Sequence, residues 1–98
     1  MRVISKRGLF ERSAKFPDTR TPLQVWLETA KSAGWKSLDD IRKTFPSADM
    51  IGKNLAIFNI KGGNYRLIVR MEFAGQRIYI KEFLTHKEYN RKEWMKWL

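Results

Sequence analysis

Hydrophobic residues recur along this chain with two spacings, a helical one as far as Phe45 and an alternating one from Leu55 onward. Met1 to Ser5 contains Val3 and Ile4 and reads as a short strand. Leu9, Phe10, Ser13 and Ala14 then lie on one side of a helix predicted over Lys6 to Phe16, which Phe16-Pro17-Asp18 stops. A second helix is predicted from Thr21, with Pro22 at its first position and Gln24 spaced as in a capping box. Its apolar stripe is Leu23, Trp26, Leu27 and Ala30, and Gly34 marks its end. Ser37 with Asp40 opens a shorter third helix that turns Leu38, Ile41 and Phe45 inward before Pro46.

Residues 47 to 54 read as a loop. Beyond them, Leu55 to Ile60, Tyr65 to Phe73 and Arg77 to Leu84 are rich in β-branched and aromatic residues. Lys61-Gly62-Gly63-Asn64 and Ala74-Gly75-Gln76 separate them, so a three-stranded antiparallel meander is predicted. Thr85 to Leu98 is an amphipathic segment ending in Trp94, Trp97 and Leu98. A strand, helices, a meander and a final helix amount to an α+β fold, with N-terminal helices packed on an antiparallel sheet.

If Gly62-Gly63 and Ala74-Gly75 are two-residue turns, the register of all three strands is set. One face then collects Ala56, Phe58, Leu67, Val69, Met71, Phe73, Ile78, Ile80, Glu82 and Leu84 and packs on the helices. The other collects Leu55, Ile57, Asn59, Arg66, Ile68, Arg70, Glu72, Arg77, Tyr79, Lys81 and Phe83. Cations interleaved with Tyr79 and Phe83 suit a surface that neutralises phosphates and stacks bases, and they equally suit an ordinary solvated sheet face. Glu82 is anomalous on the apolar face: it lies at the rim, pairs with a cation, or marks a slip in register.

Composition narrows the choice of partner. The 98 residues suffice for one domain with one core, and 20 Lys and Arg against 10 Asp and Glu give a net charge of +10. Between Ile51 and Leu98 there are ten basic and four acidic residues, so six of the ten surplus charges lie there. A polyanionic partner is implied, whether nucleic acid, an acidic protein or an anionic membrane. Without cysteine, disulfides, thiolate chemistry and cysteine-ligated zinc are excluded. No apolar run reaches membrane-spanning length and the N-terminus lacks signal-peptide character, pointing to a soluble cytoplasmic protein.

The junction Thr85-His86-Lys87-Glu88-Tyr89 has capping-box spacing and places His86, the only histidine, at the first position of a helix that follows directly on a strand. Free backbone N–H groups at such a point favour an anion beside the imidazole. Imidazole suits proton transfer near neutral pH, though a lone histidine is commonly structural. RNA can be cut without metal when a base takes the 2′-hydroxyl proton, a cation stabilises the phosphorane and an acid protonates the leaving 5′-oxygen. A His, an Arg and a Tyr could divide those roles. No cluster of carboxylates is spaced to hold two magnesium ions, which weakens a metal nuclease.

Phe58 to Val69, Ile78-Tyr79-Ile80 and Thr85-His86-Lys87-Glu88-Tyr89 resemble the HigB family of bacterial type II toxins, within the RelE/ParE-like superfamily. Arg2 to Ser5, Trp35-Lys36-Ser37 and Phe45 to Asp49 match too, so the likeness covers nearly the whole chain. The resemblance implies a small RelE-like, microbial ribonuclease-type α+β domain over residues 1 to 98 that cuts mRNA at the ribosomal A site without a cofactor. It implies a HigA-type helix-turn-helix antitoxin as partner, and operator DNA contacted through the toxin–antitoxin complex. Arg66 would stabilise the phosphate, His86 would act as acid or base, and Tyr89 would orient or stack. Asn59, Lys61, Asn64, Arg70 and Lys81 would hold RNA, with Tyr79 and Lys87 beside them.

One position departs from the pattern. The family motif usually ends Glu-Tyr-Asp, and here Asn90 follows Tyr89. An acidic contributor at that place, if the family uses one, is missing. The tail bearing Trp94 and Trp97 is longer than the motif requires, and packing against the core is favoured over a partner contact. Two other functions compete: a non-catalytic basic nucleic-acid-binding module, suggested by charge alone, and a gyrase-targeting toxin on the same fold, against which His86 and Arg66 argue.

Overall fold

A computed structural model describes all of residues 1–98. Strand β1 (Arg2–Ile4) leads to helices α1 (Lys6–Ser13), α2 (Arg20–Ser32) and α3 (Leu38–Thr44). Strands β2 (Asp49–Ile51), β3 (Leu55–Ile60), β4 (Tyr65–Glu72) and β5 (Arg77–Thr85) follow, and the short helix α4 (His86–Asn90) precedes a 3-10 turn over Glu93–Trp97. The α+β expectation holds, with an enlarged sheet. The predicted meander is its centre, in the order β1-β5-β4-β3-β2, and β1 runs parallel to β5 while the other pairings are antiparallel. The sheet is therefore mixed. Part of the predicted loop is strand β2, paired with β3 from Asp49 to Ile51.

Two helix boundaries differ from the sequence expectation. Helix α1 ends at Ser13, and α2 begins at Arg20 after a 3-10 turn over Pro17–Thr19. Thr19, not Thr21, stands at the start of α2, and its buried hydroxyl donates to the Phe16 carbonyl at 2.7 Å instead of capping the helix. Pro22 is accommodated within the first turn because backbone N–H groups there have no intrahelical acceptor to lose. Helix α3 starts as expected, with Ser37 accepting from the Asp40 N–H at 3.3 Å.

The three longer helices cover one side of the sheet. Phe58 centres an aromatic group there, with Trp26, Phe45 and Trp35 ring centroids at 5.3, 5.5 and 6.1 Å. Leu9, Leu23, Ile41, Leu67, Met71 and Ile78 are buried around it, as the apolar stripes and alternating strands predict.

The expected register holds through both turns and then breaks once. Ile60 pairs with Tyr65 across the first turn, where Gly62 and Gly63 take φ of 65° and 92°, values that favour glycine. Glu72 pairs with Arg77 across the second, but Val69 pairs with Ile80 while Ile68 pairs with Glu82, leaving Lys81 as a β-bulge. One extra residue exchanges the faces of everything after it. Phe83, expected on the basic face, enters the helix-side core beside Tyr65, ring centroids 5.5 Å apart. Glu82 and Leu84, expected on the apolar face, come to the opposite side. Of the three explanations for Glu82, the register slip is the one observed. Arg12 of α1 donates to the Lys81 carbonyl at the bulge.

The side away from the helices is covered at its middle by the C-terminal tail. The predicted helix to Leu98 is interrupted: α4 ends at Asn90, Lys92 takes φ of 63°, and the 3-10 turn lays Trp94 against Leu55, Ile57 and Ile68. Trp94 is 4% exposed and donates Nε1–H to the Tyr89 carbonyl at 2.9 Å. Trp97 donates to Glu82 at 3.0 Å. The tail thus packs on the chain's own sheet, as favoured from sequence. Helix α4 begins with the predicted capping box: Thr85 Oγ1 accepts from the Glu88 N–H at 3.1 Å, and Glu88 accepts from the Thr85 N–H at 3.0 Å.

Two stability effects follow. Trp94→Ala leaves a cavity over Ile68 and lowers the unfolding free energy by about 3 kcal/mol, measured by urea denaturation. Thr85→Ala removes the cap and costs about 1 kcal/mol. Glu88 is held below its ordinary carboxyl pKa of 4.5 chiefly by the Thr85 backbone N–H, against partial burial that raises it. The stability it adds is complete above that ordinary value and is lost as pH falls through the lowered one. Wild type and Glu88→Gln should therefore converge in stability at the acid end of a pH series.

Candidate active site

The turn between β3 and β4 and the junction between β5 and α4 meet at one end of the sheet. The His86 N–H donates to the Asn64 carbonyl at 2.9 Å, fastening the first residue of α4 to that turn. Tyr65 pairs with Thr85 on the adjacent strands, so Arg66 lies next to the same junction. Its guanidinium donates to the carbonyls of Gly63 and of Tyr65, the latter at 3.3 Å, and its central carbon is 5.1 Å from the centroid of the Tyr89 ring. Tyr89 stacks in turn on Trp94, centroids 5.2 Å apart and planes inclined by 4°. A cation is thereby set by two carbonyls and an aromatic ring, and that ring is set by a buried tryptophan. Guanidinium carries five N–H donors, so several remain for a phosphate.

His86 is exposed, and its Nδ1 is 3.1 Å from the Asn90 side-chain nitrogen. Lys87 is exposed on the same helix, Asn64 is exposed in the turn, and Asn59 is exposed opposite Arg66 on β3. The three expected catalytic residues thus lie at one end of the sheet with three of the residues expected to hold RNA, Asn59, Asn64 and Lys87. Lys61 is already engaged, since Asp18 accepts from it at 2.6 Å and from the Tyr65 hydroxyl at 3.3 Å. The Lys61 bond lowers the Asp18 pKa and the same bond raises that of Lys61, whereas burial is the main cause of the raised Tyr65 value.

Arg70, Tyr79 and Lys81 form a separate group. Arg70 donates to the Trp97 carbonyl at 3.2 Å, Lys81 lies 4.9 Å from the Trp97 ring and 5.9 Å from that of Tyr79, and Tyr79 donates to Glu72 at 3.2 Å. Ile68, buried under Trp94, stands between this group and Arg66. Arg66 and Arg70 are about 13 Å apart along β4. The continuous basic face read from sequence is thus two cationic patches with an apolar seam between them.

Three participants escape sequence reasoning. Asp18 gives no signal, because its contact with Lys61 spans 43 positions. Trp94 is visible only as an apolar tail residue, without the tyrosine it supports. Asn90 stands out for the acid it replaces and not for its bond to His86. No three His, Cys, Asp or Glu side chains converge to hold a metal ion. What the cluster offers chemically is a fixed cation, an imidazole and a phenol around a backbone turn, suited to binding a phosphodiester and moving protons about it.

Comparison with known proteins places this chain in a family. The HigB toxin family, described as the RelE-like toxic component of a toxin-antitoxin system, matches residues 19–92. An mRNA interferase toxin HigB of Escherichia coli (strain K12) is 30% identical over 93 residues, covering 92% of this chain and 88% of its own length. An mRNA interferase HigB of Shigella flexneri matches with the same identity and coverage. A further mRNA interferase HigB, from Escherichia coli O6:H1, is 25% identical over 93% of this chain and 90% of its own length. With a family match over most of its residues and relatives aligned almost end to end, this chain belongs to the HigB toxin family, the RelE-like toxic components of toxin-antitoxin systems.

Proposed function

We propose that this protein is the endoribonuclease of its toxin-antitoxin pair, cutting mRNA on the ribosome without a metal ion and held in check by a HigA-type helix-turn-helix antitoxin. The observation that carries the reading is the convergence of Arg66, His86 and Tyr89 on the turn that contains Gly63 and Asn64. It is supported by relatives that bear the name mRNA interferase. In the reaction the 2′-oxygen attacks phosphorus and the bond to the 5′-oxygen breaks, leaving a 2′,3′-cyclic phosphate and a 5′-hydroxyl. One proton leaves the 2′-hydroxyl and one reaches the departing oxygen. Arg66 meets the charge that builds on the phosphorane oxygens, where a prepositioned cation is worth most. Tyr89 keeps the guanidinium in place and offers a phenol edge to RNA, while His86 supplies the group that exchanges a proton or hydrogen bond with the phosphodiester. The net charge of +10 draws the toxin to the ribosome, with Arg70 and Lys81 as a second contact with the backbone.

The test adds purified protein, dialysed beforehand against EDTA, to translating ribosomes and maps the cleaved ends of the message. Wild type should cut and leave cyclic phosphate ends, with Arg66→Ala and His86→Ala each slowed roughly a hundredfold or more. Intact message, or cleavage unaffected by both changes, overturns the reading. Binding that survives both changes without any cleavage would instead favour a non-catalytic module. Separately, Arg70→Ala or Lys81→Ala should flatten the salt dependence of RNA binding by about 0.7 in log–log slope for each phosphate left without its cation. Filter binding across a salt series measures it.

A further inference from the structure

His86 and Asn90 are one helical turn apart on α4, and the Asn90 Nδ2 lies 3.1 Å from the His86 Nδ1. An amide nitrogen only donates, so the ring nitrogen facing it presents a lone pair. A neutral imidazole carries one N–H, which in this arrangement belongs to Nε2, the nitrogen left for a ligand. The frame that sets the contact is independent of it. Thr85 and Glu88 cap the start of α4, and the His86 N–H is bound to the Asn64 carbonyl. Both side chains of the pair are exposed, so neither is needed to fill the core.

We propose that Asn90 is a positioning residue that selects the Nε2–H tautomer of the His86 ring. Resting on the ribonuclease reading above, this gives His86 the part of hydrogen-bond donor to a phosphate oxygen or to the departing 5′-oxygen, and removes it as the base for the 2′-hydroxyl. The identity of residue 90 then decides what the imidazole can do. A carboxylate of the same shape accepts from Nδ1–H and leaves Nε2 bare, which is the form a base requires. Asparagine with its amide nitrogen turned toward Nδ1 does the reverse with no change in size.

Because His86 is the only histidine, its ring can be followed without ambiguity by 15N-labelled NMR. At alkaline pH, where the ring is neutral, wild type should show a protonated Nε2 and a bare Nδ1, and Asn90→Asp should exchange the two signatures. In ribosome cleavage assays at the same pH, Asn90→Asp should lower kcat roughly tenfold with KM changed less than about twofold, as expected when an interaction with the transition state is removed. A protonated Nδ1 in wild type, or a ring signature unmoved by Asn90→Asp, overturns the assignment of Asn90. A higher kcat in Asn90→Asp overturns the donor role by showing that a bare Nε2 is what the reaction uses. If wild type cuts no RNA, the functional reading fails while the NMR measurement still decides the Asn90 assignment.

Discussion

The single unpaired residue in β5, Lys81, is the constraint from which the rest of the site follows. Before it, β5 alternates in step with β4 and sends Ile78 and Ile80 toward the helices. After it the alternation is inverted, so Phe83 takes over the inward role and Glu82 and Leu84 turn outward. Outward Glu82 provides the acceptor for Trp97, and outward Leu84 adds to the apolar seam on which Trp94 rests. Had Lys81 instead paired with Ile68 in strict alternation, a carboxylate would face the core and a phenylalanine would face solvent beside Arg66. Burial of an unpaired carboxylate alone would cost several kcal/mol.

Support for the site passes through stacked side chains and not through secondary structure alone. Arg66 is placed by Tyr89, Tyr89 by Trp94, and Trp94 by Leu55, Ile57 and Ile68. Aromatic rings suit such a chain because each offers a large rigid face with few rotatable bonds, and they hold a guanidinium well through its flat, weakly hydrated surface. Helix α4 is only five residues long and would be marginal by itself. Its capping box, its bond to the Asn64 carbonyl and the tryptophan after it are what give it a fixed place.

How much of this is legible in the sequence depends on the distance over which each feature is determined. The α+β order, the Ser37 and Thr85 caps, the glycine turn and the register before Lys81 are readable, because each is fixed by a few neighbouring residues. The start of α2 is not, since Thr21-Pro22-Leu23-Gln24 has cap spacing while Thr19 is claimed by the turn at Phe16. The β-bulge can be suspected only through Glu82, whose charge disagrees with the face that strict alternation assigns it. In the site, the resemblance to HigB toxins supplies roles for Arg66, His86 and Tyr89. The seam that divides the cations is invisible in the sequence, because it arises when the tail folds back over the sheet from about 26 positions downstream of Ile68.

The bulge also settles what happens at the border of the sheet. Strand β1 pairs with only Arg77, Ile78 and Tyr79, so the second half of β5 has no strand on its outer side. A bare run of backbone groups there would invite another chain to extend the sheet. The bulge interrupts the regular spacing of those groups, and Arg12 of α1 occupies the Lys81 carbonyl. The same irregularity that arranges the interior thereby blunts an otherwise adhesive edge, a useful property in a small protein rich in alternating apolar strands.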